Sequence, residues 1–131
     1  MSTRSSIGIR NEKGEIRSIY CHHDGYPEWV GRVLTNYYDT TESIEKLLEL
    51  GDLSSLGDTL TDCFAYCRDG GEELNPARTF KTIQELEDSF DWNEYNYIFN
   101  NGNWYVFKAY ESHDYEFTSE KLVKNLLKQN K

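Results

Sequence analysis

The sequence has no long apolar run, few cysteines and a shortage of basic residues. No stretch approaches the length needed to cross a bilayer, which excludes a membrane-spanning helix. The first residues are polar and no apolar segment follows them, so no secretory signal is expected. The three cysteines, Cys21, Cys63 and Cys67, cannot all pair within one chain. Without an export signal, that odd count points to reduced thiols in a cytoplasm. Basic residues number 14 against 23 acidic ones, for a formal charge of −9. Such a chain is repelled by nucleic-acid backbones and anionic membranes unless its cations cluster, so neither is an expected direct partner. Nucleophile-elbow, phosphate-loop and dinucleotide-fingerprint motifs are missing. So are internal repeats and linkers, and 131 residues suit one domain spanning 1–131.

Aromatic residues, in contrast, are abundant. Ten Tyr, six Phe and three Trp make up 15% of the chain, alongside 37% hydrophobic and 28% charged residues. The apolar and charged shares are ordinary for a globular protein and argue against disorder. The aromatic excess provides core volume, and Tyr and Trp also suit binding surfaces.

Residues 4–10 alternate as a strand, with Ser5, Ile7 and Ile9 on one face. Asn11-Glu12-Lys13-Gly14 is a hairpin turn, and residues 15–22 return as a second strand. Alternation puts Ile16, Ser18, Tyr20 and His22 on one face and Arg17, Ile19, Cys21 and His23 on the other. Pro27 suits the first turn of a helix over 27–38, striped by Trp29, Val30, Val33, Leu34 and Tyr37. A second helix is predicted to open on a capping box between Asp39 and Glu42 and to end at Gly51. Residues 51–57 read as a loop, residues 63–67 as a strand, and 69–73 as a turn. Thr82 and Glu85 form another capping box, starting a short helix to about Phe90. Tyr95, Tyr97 and Phe99 alternate into Asn101-Gly102, the strongest hairpin signal present, and Trp104, Val106 and Phe107 return. Thr118 is predicted to cap a last helix striped by Leu122, Val123, Leu126 and Leu127; Lys121, Lys124, Lys128 and Lys131 suit its C-terminal half. The resulting class is α+β: an antiparallel sheet built from hairpins, with helices packed on one face.

The densest run of chemically capable side chains is 19–31, where two imidazoles, a thiol, two carboxylates and an indole surround Gly25 and Pro27. Cys21, His22, His23, Asp24 and His113 contain metal-ligand types. However, strand neighbours point to opposite faces, and the paired spacings of zinc sites are missing, so no metal is expected. Cys21 with an adjacent histidine lacks an evident orienting third group, so no catalytic residue is assigned. A thiol- or metal-dependent hydrolase stays open as an alternative.

Two binding readings remain. Arg4, Tyr20, His22, Asp24, Tyr26 and Arg68, with Arg10, Arg17 and Arg32 as further cations, supply guanidinium groups for phosphate and rings for a base. The helix start near Pro27 adds free N–H groups. The second reading uses the acidic run containing Glu85, Glu87, Asp88, Asp91 and Glu94, whose carboxylates are interrupted by Phe90 and Trp92. Such a run resembles a phosphate ladder and could occupy a basic protein.

Thr3-Arg4-Ser5, Asn11-Glu12-x-Gly14, Ile19-Tyr20-Cys21-His22-x-Asp24-Gly25-Tyr26-Pro27-Glu28 and Gly51-Asp52-Leu53-Ser54-Ser55-Leu56-Gly57 resemble a family of small phage and prophage proteins. The resemblance is closest over about the first 70 residues. It departs at His23, where the family pattern implies an aromatic residue, often Trp. No reaction carries over from it. The resemblance implies a phage protein acting in the cytoplasm of an infected bacterium, and hence a counter-defence role without enzymatic activity or cofactor. The expected action is to bind and sequester a nucleotide-derived immune signal, as a sponge and as a homo-oligomer. The alternative is an acidic DNA mimic or protein-binding inhibitor of a host nuclease, CRISPR or restriction complex.

Overall fold

The computed structural model of the chain describes residues 2–109 and 117–129. Strands β1 (Ser5–Arg10) and β2 (Ile16–Cys21) form the predicted antiparallel hairpin. Its turn closes because Asn11 Oδ1 accepts the N–H groups of Lys13 and Glu15, while Gly14 takes φ +85°. Three short strands follow: β3 (Leu53–Ser55), β4 (Phe64–Ala65) and β5 (Arg78–Phe80). A second long hairpin, β6 (Tyr95–Asn100) and β7 (Asn103–Lys108), turns at Asn101 and Gly102, both at positive φ. That is the two-residue turn whose twist matches the flanking strands.

The two hairpins are joined by a parallel pairing of β1 with β6. The sheet runs β4-β3-β2-β1-β6-β7, and β5 also pairs with β2. It is mostly antiparallel, with parallel contacts only at β1–β6 and β2–β3 among the described residues.

The helices are α1 (Arg32–Tyr37), α2 (Thr41–Glu49), α3 (Ile83–Ser89) and α4 (Val123–Gln129). A wide π-type turn, Pro27–Gly31, leads into α1, with Pro at its start as predicted. A Cβ on Gly31 would come within 2.9 Å of Val123, so glycine lets this turn lie close to α4. One sheet face carries Ile7, Ile19, Tyr97, Phe99 and Val106, buried against Val33, Leu34, Ile44, Leu47, Leu48 and Val123. Each such side chain, fully buried, stabilises by roughly 1.5–3 kcal/mol.

The α+β class agrees with the sequence reading, but the helices are not confined to one face. Ile16, Ile98, Tyr105 and Phe107 point the other way, and Ile83, Leu86 and Phe90 from α3 and its end cover them. The reason lies in β6 and β7, which are apolar on both faces and need cover on both.

Local boundaries differ as well. The box at α2 uses Thr40 and Ser43, one residue on from Asp39 and Glu42. Residues 51–57 contain β3, the strand expected over 63–67 shrinks to β4, and β5 has no counterpart in the sequence reading. Thr82 Oγ1 accepts from the Glu85 N–H as expected, although Glu85 reaches Lys81 N rather than Thr82 N. Thr118 makes no capping bond; it precedes a short 3₁₀ turn, Ser119–Lys121, and the helix begins at Val123. Lys131 lies outside the described residues. Among the described residues, no helix is long and apolar enough to cross a membrane.

Candidate functional site

Alternation along β2 sends Ile19 and Cys21 into the main core and leaves Tyr20 on the second face. Tyr20 is tightly held there. Its N–H donates to Asp52 Oδ1 at 2.9 Å, and its ring stacks on Phe90 with centroids 6.4 Å apart. Its hydroxyl lies 2.7 Å from Nδ1 of His22. Asp52, only 8% exposed, also receives Arg78 Nη2 at 2.9 Å, and that guanidinium lies over the Phe90 ring. One buried carboxylate therefore ties β2 to β5 and sets the floor of the site.

Arg4, just before β1, is exposed. Its carbonyl accepts the Glu94 N–H at 2.9 Å, which brings the end of the acidic run alongside. Burial raises the Tyr20 pKa, while the Arg4 charge and the nearby Trp92 side chain pull it down. Burial also lowers the His22 pKa, helped by His23 and Arg4. At neutral pH the site thus holds a neutral phenol and a neutral imidazole beside one guanidinium. Trp92, 57% exposed, adds a large open indole.

The structure brings Arg4, Tyr20 and His22 together. Asp24 and Tyr26 stand on the following loop, which is anchored from below. Gly25 N–H donates to the Thr3 carbonyl at 2.8 Å, and the buried Tyr97 hydroxyl donates to the Gly25 carbonyl at 2.7 Å. Asp24 has φ +57°, a conformation that Asp tolerates better than most residues, and Tyr26 is exposed. Arg68 is committed elsewhere: its guanidinium binds Asp69 and the carbonyls of Leu60 and Cys63. The other cations are also occupied. Arg17 pairs with Glu45, Arg10 lies over Phe117, and Arg32 lies over Trp29.

The site is an open patch, flanked by exposed Arg4 and Trp92. Hollows lie elsewhere, one of about 440 Å³ beside Arg10, Arg17, Thr41 and Glu45, and one of about 270 Å³ beside Tyr37 and Tyr38.

In the acidic run, Glu85 and Asp88 lie on the exposed side of α3 and bond Lys81 N and Gln84 respectively. Glu87 is half-buried, and Asp91 and Glu94 are exposed on either side of Trp92. The two binding surfaces read separately from the sequence are therefore neighbours. Sequence reasoning missed Trp92, Arg78 and Asp52 as members of the site; only the interruption of the acidic run by Trp92 hinted at it.

Cys21 is wholly buried and its pKa is pushed up to about 12, chiefly by desolvation, so at neutral pH it is a thiol out of reach of solvent. That is the opposite of what a nucleophilic cysteine requires. The argument that strand alternation separates His22 from His23 does not hold, because β2 ends at Cys21. Their rings meet edge to face at 4.6 Å, and His23 Nδ1 is hydrogen-bonded to Ser2 Oγ. Among the described residues no group of three or more His, Cys, Asp or Glu side chains converges, and His113 lies outside them. Comparison of the chain with protein-family models, curated proteins and solved structures finds no match.

Proposed function

We propose that this chain is a non-enzymatic counter-defence protein of phage origin that binds and sequesters a nucleotide-derived immune signal. The observation that carries the binding reading is the grouping of Arg4, Tyr20, His22 and exposed Trp92 on one patch. A guanidinium forks onto phosphate oxygens, and an exposed indole stacks on a base. The phage setting rests on the N-terminal motifs alone, and self-association is part of the same proposal. Against the hydrolase alternative stands the buried, protonated Cys21.

A thermal-shift series with ADP-ribose, cyclic dinucleotides and cyclic trinucleotides tests the binding reading. A ligand at 100 times its Kd stabilises the native state by about 2.7 kcal/mol, an upshift of several degrees. Trp92→Ala and Arg4→Ala should each reduce that shift. A flat response across all three ligand classes overturns the reading.

One observation favours a second reading. Trp92 is exposed between Asp91 and Glu94, giving an aromatic anchor with an acidic rim, as protein interfaces often have. On this reading the chain inhibits a basic nuclease or defence complex, and association weakens steeply with salt. Charge reversal at Asp88 and Asp91 should then abolish inhibition; inhibition that survives it sinks the reading.

A further inference from the structure

The hydrogen bonds at the patch have a direction that can be worked out from one end. An indole N–H can only donate. The Trp92 indole therefore offers the Tyr20 oxygen a donor and works against burial in setting the Tyr20 pKa. The phenol keeps its own proton, since burial raises its pKa, and the nearest acceptor is His22 Nδ1 at 2.7 Å. A neutral phenol is a better donor than a neutral imidazole N–H and the imidazole nitrogen is the better acceptor, so the 2.7 Å bond runs from Tyr20 to His22. It ends on an imidazole that burial, His23 and Arg4 all keep neutral. A neutral imidazole that accepts at Nδ1 carries its proton on Nε2. Among the described residues, that N–H has no hydrogen-bond partner.

We infer that Tyr20 is a positioning residue that locks His22 as the neutral Nε2–H tautomer, leaving a fixed hydrogen-bond donor beside Arg4 for the ligand. The inference rests on the ligand-binding reading proposed above for its purpose, though not for its geometry. It also narrows the ligand. Arg78 is neutralised by Asp52, so the patch offers one cation and one neutral donor. That pairing suits a phosphate of low charge next to a neutral acceptor such as a base or sugar oxygen, and suits a triphosphate poorly. The groups that bear on the His22 ring are Tyr20 from β2, His23 from the next position and Arg4 from the segment before β1.

The test has two arms. In the first, long-range proton–nitrogen NMR of the histidine rings is recorded on the ligand-free full chain, with Y20F and with H22A to assign the signal. The inference expects Nε2–H with a hydrogen-bonded acceptor shift at Nδ1 in the parent chain. In Y20F, Nδ1 should move to the shift of an unbonded nitrogen, and the His22 titration midpoint should rise, because a donor to the neutral form has been removed. The Phe ring preserves the stack on Phe90, so Y20F retains the packing there. A proton on Nδ1 in the parent chain, or an Nδ1 signal unmoved by Y20F, overturns the inference whether or not any nucleotide binds.

The second arm measures ADP-ribose and cyclic di-AMP by calorimetry above the histidine titration range. Y20F should weaken binding roughly threefold to tenfold, the worth of one hydrogen bond. In an H22A background the same change should cost less than about twofold, because coupled residues are not additive. Additive losses overturn the positioning role and make Tyr20 a direct ligand contact. If ADP-ribose and cyclic di-AMP bind no variant, the parent included, while the NMR pattern stands, it is the ligand reading that fails.

Discussion

Cys21 and His22 are neighbours in sequence and opposites in chemistry, because the last residue of β2 faces the core and the next one leaves the sheet. With no exposure and a pKa of about 12, Cys21 should resist iodoacetamide in the native protein at pH 7.5, whereas half-buried Cys67 should react first. Mass spectrometry of the native and urea-unfolded chain checks the order, and Cys21 labelling at the Cys67 rate would contradict it. His22 makes the native state sensitive to acid. Its native pKa is lowered from the ordinary 6.5, so below that value the unfolded chain takes up a proton that the native site refuses. Stability therefore falls as pH drops from 6.5 towards the lowered native value, where the loss is complete. Urea midpoints followed from neutral pH down to about pH 5, before the carboxylates titrate, should fall in the parent chain and stay flatter in His22→Gln.

Among the elements, the loop after β2 depends most on one residue. A Cβ on Gly25 would sit 2.7 Å from both the Ser5 Cβ and the Thr3 carbonyl oxygen, and the latter is backbone that cannot step aside. Gly25→Ala should cost about 2–3 kcal/mol by overpacking and push the loop off β1. Gly71 is the control: it has φ +72° and nothing within 4 Å of a Cβ, so its alanine variant should cost only about 1 kcal/mol of backbone strain. Urea unfolding measures both, and equal losses would mean that contact is not the cause. The long elements were legible because their signals are local. Asn101-Gly102 fixes one hairpin, Asn11 and Gly14 the other, and alternation correctly put Tyr20 on the face away from Cys21. The short strands β3, β4 and β5 were not legible. Each is two or three residues long, and β5 is tied to β2 by Arg78 reaching Asp52, a contact between distant positions. The α2 cap was off by one because Asp39 and Thr40 can both cap, and only the fold shows which one reaches Ser43. The patch was half legible for the same reason: Arg4, Tyr20 and His22 are near in sequence, whereas Trp92 arrives through the pairing of β1 with β6.

At the scale of the whole molecule, that parallel pairing lays the acidic run beside the N-terminal strand, so part of the surplus of negative charge and the exposed Arg4 share a region. Few contacts offset the surplus. The ion pairs Lys46–Glu42, Arg68–Asp69 and Arg17–Glu45 are all substantially exposed, and exposed pairs contribute about 0–1 kcal/mol each. Arg78–Asp52 has its carboxylate buried and is screened least. Added salt should therefore remove more repulsion, spread over a net charge of −9, than attraction. The expected result is a urea midpoint that rises between about 0.02 M and 0.3 M potassium chloride, a range over which the screening length drops severalfold to below about 10 Å. Charge reversal of Asp88 and Asp91 should raise the midpoint at low salt and shrink its salt dependence. A midpoint that falls with salt would mean the exposed pairs outweigh the surplus, and would remove the electrostatic basis for an acidic docking face. A rise in stability combined with salt-weakened partner binding would instead identify the same charges as a cost to the fold and a means of recognition.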